Sequence, residues 1–299
     1  MNFLLYSNGK KVTDQILLSQ WRDDEIGIFE SLRTYKGKIF QLEEHLDRLF
    51  ESAKTSGFSS QERSQKKGQS PKGTVPTRKQ LRKELELGLQ AFKREEPGIK
   101  EDLFLRLTLG RAGIFLLIGK RVHAPELYRR GVALKTSPVK RSLSNASFPE
   151  VKTSSYQNAV LASLEPAGAG TYEWLFLDRN GFVTEVRIGN IFIVKNGGAG
   201  LVPGRKGRPQ GSPLLVTPPT IGILNGVTRR FVIKCALALQ LEVKEVPLTR
   251  HEIYNADEAF LTNTSWEILP VRELDSRQIG TRIPGPVTLK LMRKFKTQI

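Results

Sequence analysis

Gly27-Ile28-Phe29-Glu30-Ser31-Leu32-Arg33-Thr34-Tyr35-Lys36-Gly37-Lys38-Ile39-Phe40-Gln41-Leu42-Glu43-Glu44-His45-Leu46-Asp47-Arg48-Leu49 changes its period half-way along. From Gly27 to Tyr35 the residues alternate, with Ile28, Glu30, Leu32 and Thr34 on one face, so the spacing predicts a strand. Lys36-Gly37-Lys38 makes a turn into Ile39-Phe40. From Gln41 onward Leu42, Leu46, Leu49 and Ala53 recur at helical spacing. Glu43 and Glu44 stand in the first turn, where the helix dipole favours acids.

Beyond this strand–turn–helix unit, Leu81 to Phe92 reads as a second amphipathic helix. Leu103 to Leu109, Ile114 to Ile118 and Gly131 to Thr136 read as strands. Ser137 to Val151, with its Ser, Pro and Asn residues, reads as a connector. Tyr156 to Leu164 reads as helical. Trp174 to Leu177 and Phe182 to Arg187 flank Asp178-Arg179-Asn180-Gly181, the pattern of a hairpin closed by an Asn-Gly turn. Ile191 to Val194 is a further strand, Thr228 to Leu239 a helix and Glu258 to Thr262 a buried strand. The pattern is a mixed α+β protein of two unequal halves. Residues 1–136 form the expected first domain, 137–151 the connector and 152–299 the second domain.

The length, 299 residues, suits two domains at roughly 150 residues each. A hydrophobic fraction of 39% with 26% charged residues is ordinary for a folded protein. One cysteine, Cys235, excludes an intrachain disulfide and a Cys-based zinc cluster, and it is expected to be a buried structural thiol. Three scattered histidines (His45, His123, His251) argue against a His-rich metal site, so no metal is expected. Phe3 to Tyr6 is too short for a signal segment, and Leu103 to Gly119 carries Arg106 and Arg111. No membrane partner is therefore expected, and the expected compartment is the cytoplasm.

The net charge is +17. The excess gathers in an insertion near 59–83, where Arg63, Lys66, Lys67, Lys72, Arg78, Lys79, Arg82 and Lys83 face Glu62 alone. A second basic stretch lies in the Gly- and Pro-rich segment 197–219. Neither interleaves aromatic residues with its cations as a base-stacking surface requires, so both read as solvated loops and nucleic acid is not the expected partner.

Four stretches, in order, carry a resemblance. They are Lys38 to Leu49; Val151-Lys152-Thr153-Ser154-Ser155-Tyr156; Gly181-Phe182-Val183-Thr184-Glu185 through Asn190-Ile191-Phe192; and Gly222 to Arg229 joined with Ala256 to Ser265. Together they resemble the class IV aminotransferase family, the fold-type IV pyridoxal-phosphate enzymes. The resemblance implies a small N-terminal α/β domain and a larger C-terminal pseudo-barrel domain, pyridoxal 5′-phosphate as cofactor, and a homodimer.

It also implies roles for individual residues. Lys152 matches the lysine that holds the cofactor as a Schiff base and moves a proton. Glu185 matches the carboxylate beside the pyridine nitrogen. Arg48 matches the phosphate arginine, with His45 one turn before it. Val227 and Thr228, at a helix start, and Thr264 match further phosphate donors. Tyr156 matches the tyrosine at the cofactor's phenolic oxygen. Arg106 stands where branched-chain members carry a carboxylate-handling arginine.

Departures accompany these matches. Asp24 and Glu25 stand where members often carry an aromatic residue and a glycine. Val186, Arg187 and Ile188 replace the usual small residues after the glutamate. Asn225 replaces a proline and is expected to cap the next helix. The Arg-x-His pair of D-amino-acid members is not evident after Gly110. The expected activity is transamination between an L-amino acid of branched-chain type and a 2-oxo acid. Two other readings remain open: 4-amino-4-deoxychorismate lyase, and a degenerate, non-catalytic homologue acting as a binding module.

Overall fold

A computed structural model of the chain describes residues 3–13, 27–60, 74–110, 113–140, 150–153, 170–196 and 212–299. Asp24, Glu25, Arg111, Tyr156 with the expected helix to Leu164, and most of both basic stretches lie outside the described residues. The chain forms two compact units, Met1–Val122 with Val151–Tyr156, and His123–Glu150 with Gln157–Ile299.

The first unit runs β1 (Phe3–Ser7), β2 (Lys10–Lys11), β3 (Ile28–Tyr35), β4 (Lys38–Ile39), α1 (Leu42–Thr55), β5 (Ser59–Ser60), β6 (Thr74–Val75), α2 (Arg78–Glu95), β7 (Leu103–Gly110) and β8 (Gly113–Lys120). Six of its strands form an antiparallel sheet in the order β2-β1-β8-β7-β3-β4. Ile28, Glu30 and Leu32 of β3 lie opposite Leu109, Leu107 and Leu105 of β7. Directly opposed residues share a face, so one face of the sheet collects the apolar set. That face packs on Leu46, Leu49 and Ala53 of α1 and on Leu81, Leu85 and Phe92 of α2.

The second basic cluster of the insertion is not loop. Thr77 accepts from the Gln80 N–H while Gln80 reaches back to the Thr77 N–H, a reciprocal cap that starts α2 at Arg78. Arg78, Lys79, Arg82 and Lys83 are therefore helical. Arg78 pairs with Asp47 of α1, and Arg82 with Glu43 at 2.6 Å. Part of the basic excess is thus matched by the acidic first turns of the neighbouring helix.

The larger unit continues with α3 (Pro125–Arg130), β9 (Val132–Thr136), β10 (Thr171–Leu177), β11 (Val183–Val186), β12 (Asn190–Lys195), β13 (Leu214–Thr217), α4 (Val227–Ala238), β14 (Glu242–Glu245), α5 (Arg250–Tyr254), β15 (Glu258–Asn263), β16 (Glu267–Leu274), β17 (Arg277–Gln278) and α6 (Pro286–Thr297). Its nine-stranded mixed sheet has the order β11-β10-β9-β16-β15-β12-β13-β14, with β17 beside β16. β11 lies at one edge, yet only Arg187-Ile188-Gly189 joins it to β12, five places along. The sheet must curl to let them meet, which makes it a half-barrel around Leu134, Leu175, Val186, Ile193 and Leu261.

Two expectations change here. β9 pairs in parallel with both β10 and β16, so residues 132–136 belong to the larger unit's sheet and not to the first domain. Leu214 to Thr217, inside the stretch read as loop, is a fully buried strand paired with β12. Its four residues sit between Pro213 and Pro218, too short a run to stand out. Cys235 is buried on α4 beside Ala236, as expected, and burial pushes its thiol up. Among the described residues no helix is long and apolar enough to cross a membrane.

Candidate active site

In the first unit the expected residues gather around β3. Glu30 falls on the helix-covered face of the sheet and is completely buried. A lone carboxylate there would be prohibitively costly. α1 supplies its partners from successive turns: Arg48 donates through Nε at 2.8 Å and Nη2 at 2.7 Å, and His45 Nδ1 lies 2.7 Å from Oε2. Burial alone would raise the Glu30 carboxyl, but the Arg48 charge and these hydrogen bonds hold it down at about 2. His45 is pushed below its ordinary value by burial, then by the charges of Arg48 and Lys152, against the opposing pull of Glu30. The imidazole is therefore neutral at pH 7, and its Nδ1–H donates to the carboxylate.

Arg48 is thus a buried, fixed guanidinium, with two of its N–H donors held by Glu30. Lys152 belongs to this same unit and not to the larger one. Its carbonyl accepts from the Phe29 N–H at 3.0 Å, and its own N–H donates to Ser52 Oγ at 3.4 Å, one turn beyond Arg48. Thr153 adds a bridge to Ile28. The lysine's backbone is pinned across the start of β3. Its Nζ lies 4.7 Å from the centre of the Phe29 ring, and the Arg106 guanidinium lies 3.9 Å from the same ring. Lys152 and Arg106 are brought together over the Phe29 ring, on the face of the sheet opposite the one that carries Glu30 and Arg48.

In the larger unit Glu185 is buried on β11, where its Oε2 accepts from Asn190 Nδ2 and from the Leu224 N–H, each at 3.3 Å. Asn190 also donates to the Leu224 carbonyl at 3.0 Å. Its Oδ1 lies so close to Gly226 that a Cβ there would collide with it. Gly226, not Asn225, is the residue at the start of α4. It is extended and offers no side-chain cap to Val227 and Thr228, and the first turn holds no acid. Such a helix start presents N–H donors and positive potential to an anion.

Thr264 stands in the turn between β15 and β16. Asn263 shapes that turn by accepting from the Ser265 and Trp266 N–H groups at 2.8 and 2.6 Å, and donates to the Ile188 carbonyl at 2.9 Å. The turn that follows Glu185 is thereby tied to the turn that carries Thr264.

Two further residues emerge that sequence reasoning had left without a role. Glu30 had a visible signal, a carboxylate in phase with an apolar stripe. Asn190 had none, because its work depends on a glycine 36 positions later in the chain.

The pattern of the class IV amino-transferases matches residues 27–274. The chain belongs to this family. The branched-chain-amino-acid aminotransferase of Pseudomonas aeruginosa is 30% identical, over 93% of this chain and 89% of its own length. The crystal structure of the branched-chain aminotransferase of Thermoproteus uzoniensis with norvaline has a TM-score of 0.75 at 28% identity, covering 98% of this chain and 93% of that one. The crystal structure of a T.th. branched-chain amino acid aminotransferase with pyridoxamine 5′-phosphate has a TM-score of 0.74 at 27% identity, covering 98% and 92%. This class IV aminotransferase accordingly has the two-domain fold-type IV architecture and carries out amino-group transfer.

Its departures after Glu185 are absorbed locally. Val186 is buried in the half-barrel core, and Arg187 Nε donates to the buried Glu173 at 3.0 Å, supplying that carboxylate with a countercharge. Neither change disturbs the hydrogen bonds to Glu185.

Proposed function

We propose that this aminotransferase uses pyridoxal 5′-phosphate to move the amino group of a branched-chain L-amino acid to a 2-oxo acid, working as a homodimer. The observation that carries the reading is Asn190. One side chain orients a buried carboxylate and packs against an uncapped helix start, the two features a pyridine nitrogen and a phosphate require. The donor set fits the cofactor. Glu185 would keep the ring nitrogen protonated. The N–H groups of Val227 and Thr228, the Thr264 hydroxyl and the remaining donors of Arg48 would take the phosphate. Tyr156 would meet the phenolic oxygen.

Bound there, the cofactor supplies an electron sink for the substrate's α-carbon. Lys152 would hold the cofactor covalently, yield that place to the substrate amine, and then carry the proton from the α-carbon. Its pinned backbone fixes the root of the side chain, and the amine lies 4.7 Å from the centre of the Phe29 ring. Arg106 would take the substrate carboxylate.

The half-reaction tests the reading. Leucine, isoleucine or valine added alone should convert the bound cofactor to its pyridoxamine form, seen in the visible spectrum, and 2-oxoglutarate should restore it. A colourless protein that takes up no cofactor sinks the proposal. So does pyruvate release from aminodeoxychorismate without any acceptor.

The helix start has its own test. Gly226 has φ −63°, which any residue adopts, so Gly226→Ala costs only space, against Asn190. Overpacking of this kind is worth about 1–3 kcal/mol. If that strain is relieved by moving the helix start away from Asn190, cofactor affinity should fall, by up to about 100-fold where all of it falls on the phosphate contacts, read by titrating the apo-protein. Unchanged affinity would remove the helix start from the phosphate site.

A further inference from the structure

A cavity of about 860 Å³ opens on the larger unit, away from Asn190 and Gly226. Its lining includes Lys135 of β9, Trp174 of β10, Arg250 and Tyr254 of α5, and Asp275 and Arg277 at the β16–β17 turn. Lys135, Arg250 and Arg277 are exposed. Among the described residues none of the three forms an ion pair.

Asp275, the one carboxylate in the lining, is already engaged. Its Oδ1 accepts from the Thr136 N–H at 2.6 Å, and its Oδ2 accepts from the Thr136 hydroxyl at 2.6 Å and the Tyr254 hydroxyl at 2.7 Å. Against burial, these bonds and the Arg250 charge hold Asp275 below its ordinary value, so it stays ionised within the lining.

Two of the cations lie against ring faces. The Lys135 ammonium lies 5.9 Å from the Trp174 ring centre, and the Arg277 guanidinium 4.8 Å from that of Tyr254. Arg277 also donates to the Asp275 carbonyl at 3.2 Å. A ring face orients a cation without neutralising it as a carboxylate would. Three cations against the single carboxylate of Asp275 leave the lining with an excess of positive charge, which a ligand of opposite charge relieves.

We infer that this cavity binds a compact multivalent anion, an oligophosphate or a tricarboxylate, bridged between Lys135, Arg250 and Arg277. Arginine offers paired N–H donors to such oxygens, and lysine a point charge.

The test uses the holoenzyme saturated with cofactor and titrated calorimetrically with pyrophosphate and, separately, with citrate, at low and high salt. At least one of the two should bind at one site per chain, more weakly at high salt, with the cofactor spectrum unchanged. Tighter pyrophosphate assigns the site to oligophosphates; tighter citrate assigns it to tricarboxylates. The R250Q/R277Q double variant should lose at least about tenfold in affinity and retain the parent's melting temperature and cofactor spectrum. Should that variant fold poorly, Lys135→Gln, on a different element, should show its own several-fold loss. The inference is overturned if neither anion binds, if binding displaces the cofactor, or if the variants bind as the parent does.

Discussion

Lys152→Ala is expected to lower turnover by at least about a thousandfold, the scale of losing a positioned proton carrier. The fold should survive. Phe29 and Ser52 hold the backbone of residue 152 and not its side chain, so both contacts persist in the alanine variant. The side chain's approach to the Phe29 ring is worth about 1 kcal/mol at most in a partly exposed setting. Melting temperature should therefore move little while activity collapses. The cofactor should also wash out on gel filtration, because the covalent anchor proposed for it is gone. Lys152→Arg sharpens the test: it keeps the charge over the ring, yet a guanidinium does not give up a proton at neutral pH. Both variants should be inactive. Measured transamination at the parent rate in either one would remove Lys152 from the mechanism.

Much of the first unit was legible because its elements are local. Period-two spacing placed Ile28, Glu30, Leu32 and Thr34 on one face, and the structure buries that face under α1. The reason Glu30 is there was not legible. Alternation assigns a face but not a partner, and Arg48 and His45 reach Glu30 only once α1 has folded back on the sheet. The start of α2 was readable in principle, since Thr77-Arg78-Lys79-Gln80 spells a reciprocal cap, but the surrounding charge masked it. The half-barrel was harder. β9 owes its place to β16, more than 130 residues later, and no local period reports a pairing at that distance. The same holds for Gly226. A cap was expected at Asn225 from residue type, whereas the helix begins one residue later because Asn190, from another strand, occupies the space a side chain would need.

Glu30→Gln should be the most damaging single change in the first unit. It leaves Arg48 buried with a neutral partner, and breaking a buried pair from one side costs about 3–5 kcal/mol. Since Arg48 is the arginine proposed for the cofactor phosphate, freeing it from the Glu30 fork should also weaken cofactor retention. Arg48→Lys, which keeps a charge but cannot form the fork, should weaken retention as well.

The pH dependence distinguishes this account from simple misfolding. The folded-state value of Glu30, about 2, lies below its ordinary 4.5. The unfolded chain therefore takes up the proton first as pH falls. The stabilisation is complete above 4.5 and is lost as pH drops towards 2. His45, depressed below 6.5 by burial, adds a loss of the same sign once the pH passes below that value. In the glutamine variant the carboxylate contribution is absent at every pH. Urea unfolding of parent and variant should show their widest gap near neutrality, closing by about 2 kcal/mol by about pH 3. A gap that stayed constant across that range would show that the ionised pair is not what the substitution removes.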